Sequence, residues 1–223
     1  MMHLIKNSKI VVCSILSLGC LLCNSCNNLP LETGATFHKT FITGYLIPEH
    51  IQIGGAQSKI SLLVKGNVIT SGAFFDELAK YYNDLSYNRY VASGPCTVIS
   101  EMISEIKVET IEDFDNNHLA GSDISDIIEL QYISYYEYVQ NGYQEENKGN
   151  REDYDDMYVY YQKDGAKIFK GNLSEIKFAD MRLVTPDFVL RFQTNPSQKG
   201  LYKFKLIFQM HDKVIETLFE HHF

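Results

Sequence analysis

The sequence predicts a mainly β protein: a β-sandwich of Ig-like or transthyretin-like topology, with one or two short helices. Three observations lead there. Met102–Thr110 and Leu201–Met210 alternate apolar and polar residues with the period of two of a strand that is wet on one face. Most other apolar runs are short and bounded by Gly, Pro, Asn or Asp, as in strands joined by turns. A hydrophobic fraction of 45% with 13% aromatic residues supplies a core for a chain of 223 residues, well above what disordered chains carry.

The chain begins with a different kind of segment. Lys6 and Lys9 give residues 1–25 a positive start with no acidic residue, and Ile10–Leu22 is an almost unbroken apolar run. That run suits the core of an export signal and falls short of the roughly 20 residues needed to span a bilayer. Four of the five cysteines crowd here: Cys13, Cys20, Cys23 and Cys26. The stretch resembles the signal peptides of bacterial lipoproteins, which end in an apolar-small-Cys box whose cysteine is lipidated and becomes the mature N-terminus. Cys26 is the candidate, with Leu22 four residues before it, Ser25 directly before it and the polar Asn27-Asn28 behind. Cys23 stands at −3, where the pattern has leucine. Cys20, preceded by Gly19, competes, but cleavage there leaves Leu21 and Leu22 on the mature end; Cys23 and an ordinary secretory signal without lipidation are the remaining alternatives. The resemblance implies removal of residues 1–25 and a lipidated Cys26 leading a tether over 26–39. It also implies attachment to the bacterial cell envelope, in the outer membrane, by several acyl chains at about 0.8 kcal/mol per buried CH₂. Residues 40–223 then form a single β-rich domain.

Within that domain the pattern reads in order. Phe41–Ile47 (ending at Pro48), His50–Ile53 (ending at Gly54-Gly55) and Ile60–Val64 are short strands, and Lys65-Gly66-Asn67 suits a tight turn back into Val68–Thr70. Phe75, Leu78, Ala79, Tyr82 and Leu85 recur at spacings of three and four, which predicts one amphipathic helix over Ala73–Leu85. In Met102–Thr110, Ser104, Ile106 and Val108 share one face and Glu105, Lys107 and Glu109 the other. Glu112–Ser122 is too polar for an element, and Ser122 is placed to cap a helical turn through Ile124–Ile128. Glu129–Val139 is tyrosine-rich and ends at the turn signal Asn141-Gly142; Gln144–Asp156 is an acidic loop. Tyr158–Tyr161 and Lys167–Phe169 flank Asp164-Gly165 as a hairpin, and Phe188–Gln193 follows Pro186 as a strand. The chain closes on a hairpin: Tyr202, Phe204, Leu206, Phe208 and Met210 share a face, and His211-Asp212 turns the chain into Val214–Phe219.

A second resemblance rests on the strand Ile106-Lys107-Val108-Glu109-Thr110, then Asp113-Phe114-Asp115, then His118-Leu119-Ala120-Gly121-Ser122 and Asp126. This order is similar to that in an uncharacterised family of Bacteroidetes lipoproteins, in which an Asp-Phe-Asp turn is followed by His-Pro-Ala-Gly. Leu119 stands where that pattern has proline. The resemblance reaches towards the C-terminal end and implies no activity.

The chemistry-bearing residues form no catalytic motif. Asp113, Asp115 and Asn117 invite a Ca²⁺ hypothesis, since hard cations want clustered oxygens. As an EF-hand loop from Asp113 the stretch fails at His118, where glycine is needed, and at Ile124, where a bidentate glutamate is needed; turn-forming Asx chemistry is the simpler account. Glu152, Asp153, Asp155 and Asp156 read as a solvated acid run. Tyrosines such as Tyr132, Tyr135, Tyr136 and Tyr138 either pack in strands or offer a stacking platform to glycans. Cys96 reads as a buried small hydrophobe. With a net charge of −8 and no Lys/Arg cluster, the chain is not built for nucleic acid. The expected function is a lipid-anchored, non-enzymatic binding or structural module of the cell envelope. Its expected partners are the membrane and a glycan or envelope protein. The alternative is a glycan-binding or glycan-active protein using carboxylates and tyrosines.

Overall fold

A computed structural model describes residues 35–56, 59–91, 96–144 and 165–223. The expected signal segment 1–25, Cys26, the acid run 152–156 and the expected strand 158–161 lie outside them. The described residues fall into two units: 35–37 with 90–91, and 38–89 with 96–223. In the first, the Phe37 and Tyr90 rings lie 5.2 Å apart, on strands β1 (Thr36–His38) and β4 (Arg89–Val91), which make a two-stranded sheet. The tether expected over 26–39 therefore carries a strand at its described end.

The second unit is mainly β, with two sheets facing one another. Six strands order as β5-β2-β3-β9-β7-β8, where β2 is Gly44–Ala56, β3 Lys59–Ile69, β5 Thr97–Ile99, β7 Ile128–Ser134, β8 Lys167–Asn172 and β9 Val184–Phe192. All neighbours are antiparallel except β2 and β5. The other sheet orders as β11-β10-β6, from β6 (Ile103–Thr110), β10 (Leu201–Met210) and β11 (Val214–His222), all antiparallel. One hydrophobic core lies between them. Leu62, Val64, Leu130, Phe188 and Leu190 come from the larger sheet; Ile106, Val108, Phe204, Leu206 and Phe208 come from the smaller. Burying each such side chain contributes about 1.5–3 kcal/mol.

The long hairpin β2/β3 shows why the expected turn at Lys65-Gly66-Asn67 is wrong. Both strands run straight through, Pro48 opposite Gly66 and His50 opposite Lys65, so Glu49 is an extra residue in a bulge. The bulge switches side-chain parity, which lets Leu46 before it and Ile51 after it reach the same core. Gly66 belongs to this bulge. A Cβ there would collide with the Ile47 carbonyl oxygen. The chain reverses between Ala56 and Lys59 instead. Phe41 and Ile42, expected in a strand, precede the ladder and give their N–H groups to the Asp84 carboxylate, both at 2.8 Å.

Sheet β6 carries a second bulge. Gln209 pairs with Glu105 but Met210 with Ile103, so Ser104 is the extra residue. It points outward, donating its hydroxyl to the Gln209 carbonyl (3.0 Å), and Ile103 takes the inner place. The inward position expected for Ser104 is corrected accordingly. Pro186 sits inside β9, not before it, where the ladder to β7 loses register; bulges are where sheets tolerate proline.

The predicted helix is present, shorter, as Ala73–Tyr81. Phe75, Ala79 and Tyr82 are buried, whereas Leu85 is exposed because Asn83, with φ 57°, ends the helical path. A second, short helix is Tyr136–Gln140. Its surroundings form an aromatic cluster apart from the main core: Phe41 lies 4.9–5.3 Å from Tyr87, Tyr135 and Tyr138, and Tyr45 lies 5.2 Å from Phe75. With both faces covered, β7 is buried at Leu130–Ser134 without alternation. The turn expected through Ile124–Ile128 is a 3-10 turn, Ser125–Ile127. Asp123, not Ser122, holds it, accepting from the Ser125 N–H (2.9 Å) and hydroxyl (2.6 Å).

Candidate functional site

A cleft of about 860 Å³ opens at one end of the two sheets, within the usual size range of binding pockets. One wall is the end of the β2/β3 hairpin, from Ile53 to Ile60; the other is the last part of β11, Leu218–His222, with Ile111 and Lys203 beside it. The opposite end is closed, where Lys213 Nζ donates to the Pro48 carbonyl and Ile215 is buried. The sheets part as the hairpin reaches Gly54-Gly55. Gly55 adopts φ +136°, which other residues strongly resist, and the Cβ position of Gly54 meets nothing within 4 Å. This wall thus presents bare backbone.

Leu218 is 71% exposed and Ile111 44%. The polar rim holds Lys59, Lys203, His221 and His222 against one carboxylate, Glu220, which pairs with Lys203 at 3.7 Å. A smaller cavity of about 200 Å³ shares Lys59, Ile60 and His221 and continues towards Phe192 and Phe223. There the His221 ring lies 5.3 Å from Phe192 and 4.6 Å from Phe223. Apolar walls with a polar rim are the lining of an ordinary small-molecule pocket.

The acid-rich loop after β6 does something else. Phe114 is fully buried, among the rings of Phe192, Tyr202, Phe204 and Phe223. Asp115 Oδ1 accepts from the N–H groups of Asn117 (2.7 Å) and His118 (2.9 Å), and Asp113 Oδ1 accepts from Ala120 N–H (2.8 Å). His118 is buried, with Nδ1 2.9 Å from Asp115 and Nε2 3.2 Å from Asp126. Asp115 thus forms an Asx turn, Asp113 ties the loop across to Ala120, and Asn117 takes part through its backbone N–H. Among the described residues no three His, Cys, Asp or Glu side chains converge as a metal-ion set.

Two carboxylates on the two ring nitrogens favour the protonated ring of His118, in which both nitrogens donate. The Asp115 hydrogen bond, then Asp126, raises its pKa against the opposing effect of burial; the same bond lowers that of Asp115. The sign follows from linkage. A raised histidine contributes fully below its unfolded pKa of about 6.5 and is lost as pH rises through the folded value. The lowered Asp115 contributes above about 3.9 and is lost as pH falls. The clamp therefore operates between mildly acidic and neutral pH. Thermal midpoints from pH 5 to 9 should show the wild-type advantage over Asp126→Asn shrinking on the alkaline side; an advantage constant with pH would reject the charged clamp.

Asp84 is a third polar centre, fully buried. Besides the two N–H groups it accepts the Tyr143 hydroxyl at 2.9 Å. Tyr82 donates to the Ser100 carbonyl at 2.9 Å, and burial raises the hydroxyl pKa of Tyr45 and Tyr82. Tyr132, Tyr135 and Tyr138 are buried and Tyr136 partly so, as the packing reading expects, while Tyr81 and Tyr90 are exposed. Cys96 is buried, as a small hydrophobe would be.

Of the cleft residues, the sequence marks Gly54-Gly55 as a strand end and gives no pattern that joins it to Leu218–His222. One signal was legible: Leu218 breaks the polar outer face of β11, between Glu216 and Glu220. Comparison with protein-family models, with curated proteins and with solved structures gives no match. The class that the structure defines is a mainly β protein whose larger unit packs two sheets face to face, with an open cleft at their ends.

Proposed function

We propose that the protein is a lipid-anchored component of the bacterial cell envelope, a non-enzymatic binding module exported by residues 1–25 and moored in the outer membrane through Cys26. The observation that carries the reading is the apolar run and apolar-small-Cys pattern of residues 10–26, joined to a β-rich unit with an open cleft of about 860 Å³. No helix among the described residues is long and apolar enough to cross a membrane, so this reading gives the anchoring to Cys26. The likeness of residues 106–126 to Bacteroidetes lipoproteins supports the same address. A resident Ca²⁺ is left out of the proposal, because Asp113 and Asp115 already accept local N–H donors.

Cys26→Ala should move the protein out of the membrane fraction, and mass spectrometry of the wild-type N-terminal peptide should find acyl chains on Cys26. Retention of the variant in membranes, or an unmodified wild-type N-terminus beginning at Met1, would reject the proposal.

A further inference from the structure

We infer that the helix Ala73–Tyr81 rests one flank, carrying Phe74, Leu78 and Tyr81, on the headgroup layer of a zwitterionic lipid bilayer, and so orients the unit that Cys26 tethers. This goes beyond the lipid-anchor reading and rests on it.

These three residues are spaced by four and three, so they share one flank of the helix. The packed face is a different one, where Phe75, Ala79 and Tyr82 are buried. Phe74 is 46% exposed and Tyr81 74%, with the half-buried Leu78 between them. Single exposed apolar side chains are ordinary, but two aromatic rings in line on one flank form a stripe. Helical spacing sets Asp76 and Lys80 on the opposite flank and Glu77 along the crest between the two.

The place of the stripe selects the occupant. The loop leaving the helix is bound to the point where the chain enters this unit. Tyr87 N–H donates to the Lys39 carbonyl at 3.1 Å, and Asp84 accepts from the N–H groups of Phe41 and Ile42. The Tyr82 ring lies 6.1 Å from that of Tyr45, at the start of β2. Thirteen residues join Cys26 to Lys39, at most about 45 Å of chain. The exposed Leu218 lies by the cleft at the other end of β2, a strand of 13 residues and so roughly 40 Å long. Contact through the cleft end would draw the tether nearly taut along the hairpin, whereas contact through the stripe leaves it slack. So small a stripe binds lipid weakly from solution, but a tether makes the contact intramolecular, at an effective concentration of order mM. The side chains suit the layer: aromatic rings collect at the membrane–water interface, where tyrosine keeps its body apolar and its hydroxyl wet. The net charge of −8 and Glu77 beside the stripe disfavour an anionic surface, so zwitterionic headgroups are the match.

The test uses the full-length, acylated chain in phosphatidylcholine vesicles, with flotation to show whether it is anchored. The chain has no tryptophan, so Tyr81→Trp is a sole fluorescent reporter and Leu218→Trp its control. Both are read against phosphatidylcholine brominated near the headgroup end of its acyl chains. The inference expects Tyr81→Trp to lose about half or more of its emission and Leu218→Trp to keep nearly all of it. Adding Phe74→Glu to Tyr81→Trp should restore the emission, because a carboxylate lifts the stripe out of the apolar layer. Chain that floats with the vesicles yet leaves Tyr81→Trp unquenched would overturn the lipid contact and leave the anchor standing; chain that does not float would overturn both. Equal quenching of the two reporters would show no preferred orientation and overturn the inference, as would quenching indifferent to Phe74→Glu. A dimer in detergent that Phe74→Glu dissociates would give the stripe to a second copy and overturn the lipid. Phe74, Tyr81 and Leu218 are all exposed, so each variant should keep the wild-type thermal midpoint, which is measured alongside.

Discussion

Gly66→Ala is expected to destabilise the protein by about 3–5 kcal/mol, near the upper end of single-substitution effects. An added Cβ cannot be accommodated by a rotamer change, because the atoms it meets are backbone: the Ile47 carbonyl and the Glu49 nitrogen. Relief requires Pro48–His50 to move. That stretch is the bulge, and its extra residue puts Leu46 and Ile51 on one face. Losing the bulge slips one arm of the hairpin by a residue, which turns its apolar set away from the core. For a domain of this size each kcal/mol shifts the thermal midpoint by roughly 2–4 °C. Gly66→Ala should thus lower it by about 6–20 °C in a calorimetric scan. Gly171→Ala is the control, a strand glycine with nothing within 4 Å of its Cβ position. Strand glycines cost conformational entropy, so that variant should be neutral or slightly stabilised. Equal midpoints for the two variants would show that the close approach at Gly66 does not constrain the hairpin.

Legibility from the sequence followed how many faces of an element meet water. β10 and most of β6 are wet on one side, and their alternation placed Phe204, Leu206, Phe208, Ile106 and Val108 in the core correctly. β7 is covered on both faces, so its period of two is erased, and only the turn at Asn141-Gly142, which ends the helix after it, could be read. Bulges were invisible, since an extra residue such as Glu49 or Ser104 looks in the sequence like a break or a continued alternation. Only the partner strand tells which. The cleft was illegible for a related reason. It is assembled from Gly54-Gly55, Ile111 and Leu218–His222, stretches separated by more than fifty residues of chain at each step. No local pattern couples them.

Asp84 carries the other large expectation, and its logic runs through electrostatics instead of packing. Each of its three hydrogen-bond partners acts as a donor: the N–H groups of Phe41 and Ile42 and the hydroxyl of Tyr143. The pocket is therefore built for a carboxylate, although burial pushes its pKa up and the donors only partly pull it back. Asp84→Ala would strand two backbone donors and a hydroxyl where water does not reach, each at about 1–3 kcal/mol. A loss of about 3–5 kcal/mol is expected, and chemical denaturation would measure it. Tyr143→Phe removes one donor and should cost about 1 kcal/mol. The pH dependence separates charge from shape. A carboxyl whose native pKa is raised binds its proton more readily folded than unfolded. Its contribution therefore falls as pH rises from about 3.9 through the native value, and is level beyond it. Asp84→Asn keeps the outline without the titration. The stability difference between wild type and Asp84→Asn should therefore tilt towards the wild type on the acid side of that window. If the difference stays flat across it, the carboxylate's charge is not what the pocket resists, and the cost of Asp84→Ala must be assigned to lost hydrogen bonds alone.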